Sequence, residues 1–449
     1  MTIFELSRLL ASGKSTSRQL VEQSLAAIED PRGEGARVFI RVYHDEALAT
    51  ADRIDAMRRN GSTLPALAGI PISIKDLFDE EGVVTLGGST VLIGTPPAAR
   101  DSTIVTRLKK SGAVIIGRTN LTEFAYSGLG INPHYGTPKN AFDRTVGRIP
   151  GGSSSGAAVS VADGMAAGAI GTDTGGSIRI PPALNGLVGF KPTARRVPLD
   201  GVLPLSFTLD SVGPIAKTVA DCALLDQILA AENDGVPAPA RMTELRFAVP
   251  ATVFRNDLSP AVATAFAAAL ERLSAAGATI VELPMAEFAQ AADVNPRGAL
   301  ASAESFWWHR RWMNDAADKY DPRVISRIRP GANIIAADYI ELLHARDRFI
   351  RTINLAANGY DAMLMPTTPD TAPTIAEASK DDESYFRFNG RMLRNPSIVN
   401  LFDGCALSVP CQDPGSAPVG MMIAGTQNTD RRILSIGMAV EKIVSAPLG

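Results

Sequence analysis

Twice in this chain an apolar stripe of helical period runs into a glycine and directly out into a run of strand type. Asp101 is placed to cap a helix through Val105 and Leu108, Gly112 stops it, and AVIIG (113–117) follows as a strand. Further on, Ser259 and Pro260 stand as N-cap and first helical residue before Val262, Phe266, Leu270 and Leu273. Gly277 closes that helix and ATIVEL follows as a strand. Helix, glycine, strand is the grammar of a parallel α/β sheet. Other strands fit it: LAGIPISIKD (67–76), with Ile70, Ile72 and Ile74 on one face and Pro71, Ser73 and Lys75 on the other, then LRFAVP, AMLMP (362–366) and PVGMMIAG (418–425). Ile433, Ile436, Val440 and Ile443 mark a final helix.

The chain opens with two helices. Thr2 with Glu5 and Thr16 with Gln19 have capping-box spacing, and Val21, Leu25 and Ile28 share a helical face. Glu5, Arg8 and Lys14 interrupt the apolar core that a secretory signal needs, and no apolar run reaches the length of about 18 residues expected of a membrane span. Residues 366–395, containing TPDTAPTIAEASKDDES, read as a solvated surface loop, with a lid or pocket rim as the alternative.

With 44 basic against 47 acidic residues and no long run of either sign, the chain has no footprint for nucleic acid or an anionic membrane. A small neutral or mixed-charge partner is expected. Cys222, Cys405 and Cys411 are an odd number, widely spread and without a CxxC, which suggests neither a disulfide framework nor a zinc site. Cytoplasm is the expected compartment.

The chemistry concentrates in GGSSSGAAVSVADGMAAGAIGTDTGGSIRIPPA (151–183). A phosphate loop would need GK[ST] after its glycines, and Gly156 is followed by Ala157 and Ala158. Gly152, Ser154 and Gly156 satisfy GxSxG, but a nucleophile elbow must follow a buried strand, and the polar NAFDRTVGRIP precedes this one. Only His44, His134, His309 and His344 could serve as an imidazole base, and all four read as surface or core residues. A buried lysine is the remaining base. A free lysine titrates near 10.4, so neutrality at pH 7 costs roughly 4–5 kcal/mol. Burial can shift it by about 3–5 units, which suffices. Lys75, at the end of an apolar strand, is the candidate.

GIPISIKD, GGSSSG and GTDTGGSIRIPP together resemble the amidase signature hydrolases, with Ser153 and Ser177 at the separation that family shows. TNLTEFAYSG, YGTPKNAFD, GLVGFKPT, LRNPSIVN and APVGMMIAG extend the resemblance along nearly the whole chain. It implies a single α/β domain over 1–449 built on a large mixed, mostly parallel sheet with helices on both faces. Residues 1–60 would be a helical segment, 61–230 the core with the triad, and 231–449 the remaining α/β part and pocket-lining segments. The amino-terminal helices would pack outside and support a homodimer.

The resemblance also implies a Ser–Ser–Lys triad: Ser177 as nucleophile, Ser153 as proton relay after a cis bond from Gly152, and Lys75 as base. The oxyanion hole would be the backbone NH groups of Thr174, Gly175, Gly176 and Ser177, with Ser154, Asp173 and Arg179 holding the serine loops together. Tyr126 and Gly128 are expected at the substrate. Amide hydrolysis would need no cofactor and no metal. A glutamine-hydrolysing subunit of a tRNA-dependent amidotransferase, or a carbamate or ureide hydrolase, would use the same triad. Ser155 and Pro182 depart from the family pattern beside the pocket. Trp308 and Trp312, helical neighbours at i, i+4, read as core; were they to line the cleft, an apolar or aromatic acyl group would be favoured over a charged one.

Overall fold

Alternation along buried strands creates two cores, one on each side of a sheet. In the computed structural model, which describes residues 1–444, the strands are β1 (Phe39–Val42), β2 (Pro71–Lys75), β3 (Val114–Thr119), β4 (Gly168–Asp173), β5 (Val188–Lys191), β6 (Ser211–Ala216), β7 (Arg246–Pro250), β8 (Thr279–Leu283), β9 (Ala362–Pro366), β10 (Cys405–Pro410) and β11 (Gly420–Gly425). They form one 11-stranded sheet in the order β1-β3-β2-β4-β6-β5-β10-β11-β9-β7-β8. Along β11, Met421 and Ile423 enter one apolar cluster with the helices Pro260–Ala275 and Asp430–Val444. Met422 and Ala424 enter another, beneath the helices Ala336–Ala356 and Asp382–Leu401.

The two helix–glycine–strand units deliver parallel pairs as expected: β2 with β3, and β7 with β8. β2 with β4 and β7 with β9 are also parallel. Between these wings the expected parallel bias fails, because the five successive pairings from β4 through β6, β5, β10 and β11 to β9 are all antiparallel. β1 is antiparallel to β3 as well.

Both amino-terminal capping boxes form. At the next helix, Thr103–Lys110, the cap is Ser102, whose hydroxyl accepts from the Val105 NH at 3.3 Å. Asp101 instead accepts from the Glu81 NH and from Lys109 at 2.9 Å. Residues 366–395 are not a surface loop. Thr374 opens a short helix, Ile375–Ser379, with a capping box to Glu377, and Asp381 caps Asp382–Leu401. Tyr385, Asn389, Met392, Pro396 and Val399 lie buried at helical spacing, so this segment is a wall of the molecule. Among the described residues no helix is long and apolar enough to cross a membrane.

Candidate active site

Parallel pairing of β2 with β4 sets Ile74 beside Ile170, so Lys75 ends its strand alongside the residues leading into GTDTGGS. The carboxyl ends of adjacent parallel strands are where α/β sheets place ligands. Lys75 is fully buried, and its Nζ donates to Ser153 Oγ at 2.7 Å and to Thr172 Oγ1 at 2.8 Å. Burial pulls its ammonium down to about 7, against the opposing influence of Asp173 and Asp210. A lysine here is a usable base at neutral pH.

The Gly152–Ser153 peptide bond is cis. The chain there lies tight against the loop before it: a Cβ at residue 152 would collide with the Gly130 nitrogen, and the Gly152 NH donates to the Gly128 carbonyl at 2.8 Å. The Gly128 carbonyl thus holds the Ser153 loop, and Gly128 is not among the residues that line the cavity. The Ser154 hydroxyl reaches the Thr172 carbonyl at 3.4 Å, tying the two serine loops together. Ser177 is nearly buried and lines the cavity. Among the described residues nothing hydrogen-bonds its hydroxyl, so the structure joins Lys75 to Ser153 and leaves Ser177 turned to the cavity.

Asp173 and Arg179 are both buried and form a two-point ion pair, Nε to Oδ2 at 3.0 Å and Nη2 to Oδ1 at 2.9 Å. Burial raises the Asp173 pKa, but Arg179 and the hydrogen bond from Asn400 overcome it and hold it at about 2. The same carboxylate takes the NH of Gly176 at 2.8 Å and of Ile178 at 3.0 Å. That corrects the oxyanion assignment: Gly176, at φ 133°, spends its NH on Asp173. The NH groups of Thr174, Gly175 and Ser177 have no acceptor among the described residues. Asp173→Asn would leave Arg179 as an uncompensated buried charge, at an expected cost of about 3–5 kcal/mol. Urea unfolding checks this; an unchanged midpoint would contradict it.

The cavity over Ser177 has a volume of about 390 Å³, within the range of small-molecule sites. Thr174, Gly175 and Ser177 line it, and so does Tyr126. Trp308 and Trp312 do not line it; they pack with Phe124 and Tyr320 in an apolar cluster that meets the cavity through Ala125, Tyr126, Leu205 and Ala301. Ser155 and Pro182 also lie outside it. Ser155 opens the helix Ser155–Ala162 and reaches the Asn120 carbonyl, and Pro182 sits in the first turn of Ile180–Asn185.

Three polar partners were missed in the sequence. Thr172 shares the Lys75 ammonium. Asn400 joins Asp173 at 2.8 Å and Arg179 at 2.6 Å. Asp210 accepts from the Thr174 hydroxyl and from the NH groups of Leu205 and Ser206 at 3.0 Å, and burial pushes it up to about 7. An acid inside the apolar run LPLSFTLDSVGPIA was the available hint for Asp210.

Residues 19–434 match the family model Amidase. The chain belongs to the amidase signature family. This amidase is 35% identical to a 2-amino-5-chloromuconic acid deaminase of Comamonas testosteroni, over 89% of its own length and 86% of the relative's. It is 34% identical to a glutamyl-tRNA(Gln) amidotransferase subunit of Symbiobacterium thermophilum, over 98% and 96%. A crystal structure of an amidase superposes with a TM-score of 0.88 at 30% identity, covering 99% of this chain and 100% of that one. Membership makes the protein a hydrolase acting on C–N bonds.

Proposed function

We propose that the amidase hydrolyses a small-molecule amide through an acyl-enzyme on Ser177. Lys75, neutral near pH 7, takes a proton from Ser153 as Ser153 takes the proton of Ser177. Ser177 Oγ attacks the carbonyl, and the oxyanion is met by the free NH groups of Thr174, Gly175 and Ser177. Collapse of the intermediate expels the amine, which receives its proton back through Ser153. Water then cleaves the acyl-serine ester. The observation that carries this reading is the 2.7 Å contact between a fully buried lysine and Ser153. Catalytic contacts are often open in a ligand-free site, and the unengaged Ser177 hydroxyl is read in that way. The amidase would act as one domain, as a homodimer in the cytoplasm, without nucleic acid.

The test is ammonia or amine release across primary amides, anilides, carbamates and ureides, together with fluorophosphonate labelling of Ser177. Labelled Ser177 and turnover of an amide are expected; an unlabelled serine would remove the reading. The near full-length likeness to part of an amidotransferase favours a second reading, glutamine hydrolysis within a complex. Strict dependence on glutamine and on co-purifying proteins would establish it, whereas turnover of simple amides by the isolated chain would rule it out.

A further inference from the structure

The cavity wall is cationic. Arg297, Arg327 and Arg394 line it, and among its described lining residues there is no aspartate or glutamate. Arg297 is exposed at the rim, whereas Arg327 and Arg394 are half-buried.

Arg394 has no carboxylate within ion-pair distance among the described residues. Its Nε reaches only the side-chain oxygen of neighbouring Asn395, at 3.1 Å, and its Nη2 is buried with no acceptor. The acids on that side, Asp257 and Asp370, are both taken by Arg391. A buried donor left without a partner costs free energy, and a guanidinium is built to meet a carboxylate at two points. Arg327 is held in place: it lies over the Tyr126 ring at 4.3 Å and donates through Nη1 to the Tyr126 carbonyl. Its Nε and Nη2 have no acceptor among the described residues.

Both arginines line the same cavity as Ser177. A Cβ at Gly175 would sit 3.5 Å from Leu393 and 3.8 Å from Ser397, so Arg394, between them in sequence, is within about one helical turn of the oxyanion loop. Tyr126, which Arg327 clamps, precedes the segment that braces the Ser153 loop. The remaining wall is uncharged: mostly apolar, with Leu205, Leu209, Phe288 and Leu401, and polar at Ser127, Asn295 and Ser397.

We propose that Arg394 and Arg327 bind a carboxylate of the substrate, so that the enzyme hydrolyses amides of short carboxylate-bearing acids in preference to neutral alkyl or aryl amides. This rests on Ser177 being the nucleophile of the same cavity. It also replaces the conditional expectation of an apolar acyl group, whose premise, two tryptophans in the cleft, is not met.

The test compares kcat/KM for malonic, succinic and glutaric monoamides, and for glutamine, with that for uncharged amides of the same length, butyramide among them. The best anionic substrate should exceed its neutral counterpart by about 100-fold or more. Arg394→Met and Arg327→Met should each reduce that ratio at least about tenfold, and Arg394→Lys should retain part of it. Succinate should slow fluorophosphonate labelling of Ser177 in the wild type, and butyramide should not. Equal kcat/KM for charged and neutral amides would overturn the proposal, as would labelling that succinate leaves untouched. These two wild-type measurements decide it even if a variant fails to fold. Labelling and turnover without charge preference would leave the acyl-enzyme reading intact, whereas absent labelling and absent turnover would remove both.

Discussion

Ser177→Ala should abolish turnover and leave the fold unchanged. The side chain faces a cavity and makes no hydrogen bond among the described residues, so truncating it breaks no contact on which stability depends. A change within about 0.5 kcal/mol is expected. Activity should fall by about 10⁴-fold or more, because the nucleophile itself is gone and only binding and the oxyanion donors remain. Ammonia release from the best amide measures the loss, and intact mass after fluorophosphonate treatment identifies the cause: the wild type gains one adduct and the variant none. A variant that keeps a hundredth of the activity would place the nucleophile elsewhere. The combination matters more than either half. A merely structural serine in a glycine turn would show the reverse, lost stability with retained chemistry.

Lys75→Met should destroy activity and stabilise the protein. The wild type holds an amine with a pKa of about 7 where the ordinary value is 10.5, which at pH 7 costs folding roughly 4 kcal/mol at 1.36 kcal/mol per unit. Methionine of similar length removes that cost and forfeits two hydrogen bonds, to Ser153 and Thr172, worth about 1 kcal/mol each. A net gain of about 2 kcal/mol at pH 7 is expected. The sign with pH follows from proton binding. Between about 7 and 10.5 the unfolded chain holds a proton at this lysine that the native chain does not, so the lysine's contribution to stability rises with pH. The advantage of the variant over the wild type should therefore shrink by about 2 kcal/mol between pH 7 and 9. Paired urea titrations at the two pH values check it. In the wild type, kcat/KM should climb about tenfold per pH unit below 7 and level off above, as a neutral amine base requires. A rate already flat at pH 5 would reject Lys75 as base.

The site was legible where its chemistry is local. Lys75 is marked by an alternating strand that ends on a charge, and Ser153 and Ser177 by glycine-rich clusters that few other tasks require. The partners that hold these residues were not legible, because their meaning lies in contacts far along the chain. Asn400 is one asparagine among many until it meets Asp173, 227 residues away. Arg327 and Arg394 look like ordinary surface cations until the acids around them are found to be absent or already paired. The helix Asp382–Leu401 stayed hidden because Asn389 and Pro396 occupy its buried face and Gly390 interrupts its period. In the same way, the glycine-closed helices announced the parallel wings of the sheet, but nothing in strand composition distinguishes the antiparallel middle.

The brace from Asn400 to Asp173 also sets a timetable. All three residues of the proposed triad leave the ribosome within the first half of synthesis, yet the carboxylate that shapes the oxyanion loop lacks its last partner until residue 400 has been made. β10 and β11, which complete the middle of the sheet, come later still. A chain that ends before residue 400 carries all three groups of the proposed triad without the contact from Asn400 to Asp173, so that brace forms only when translation is nearly complete.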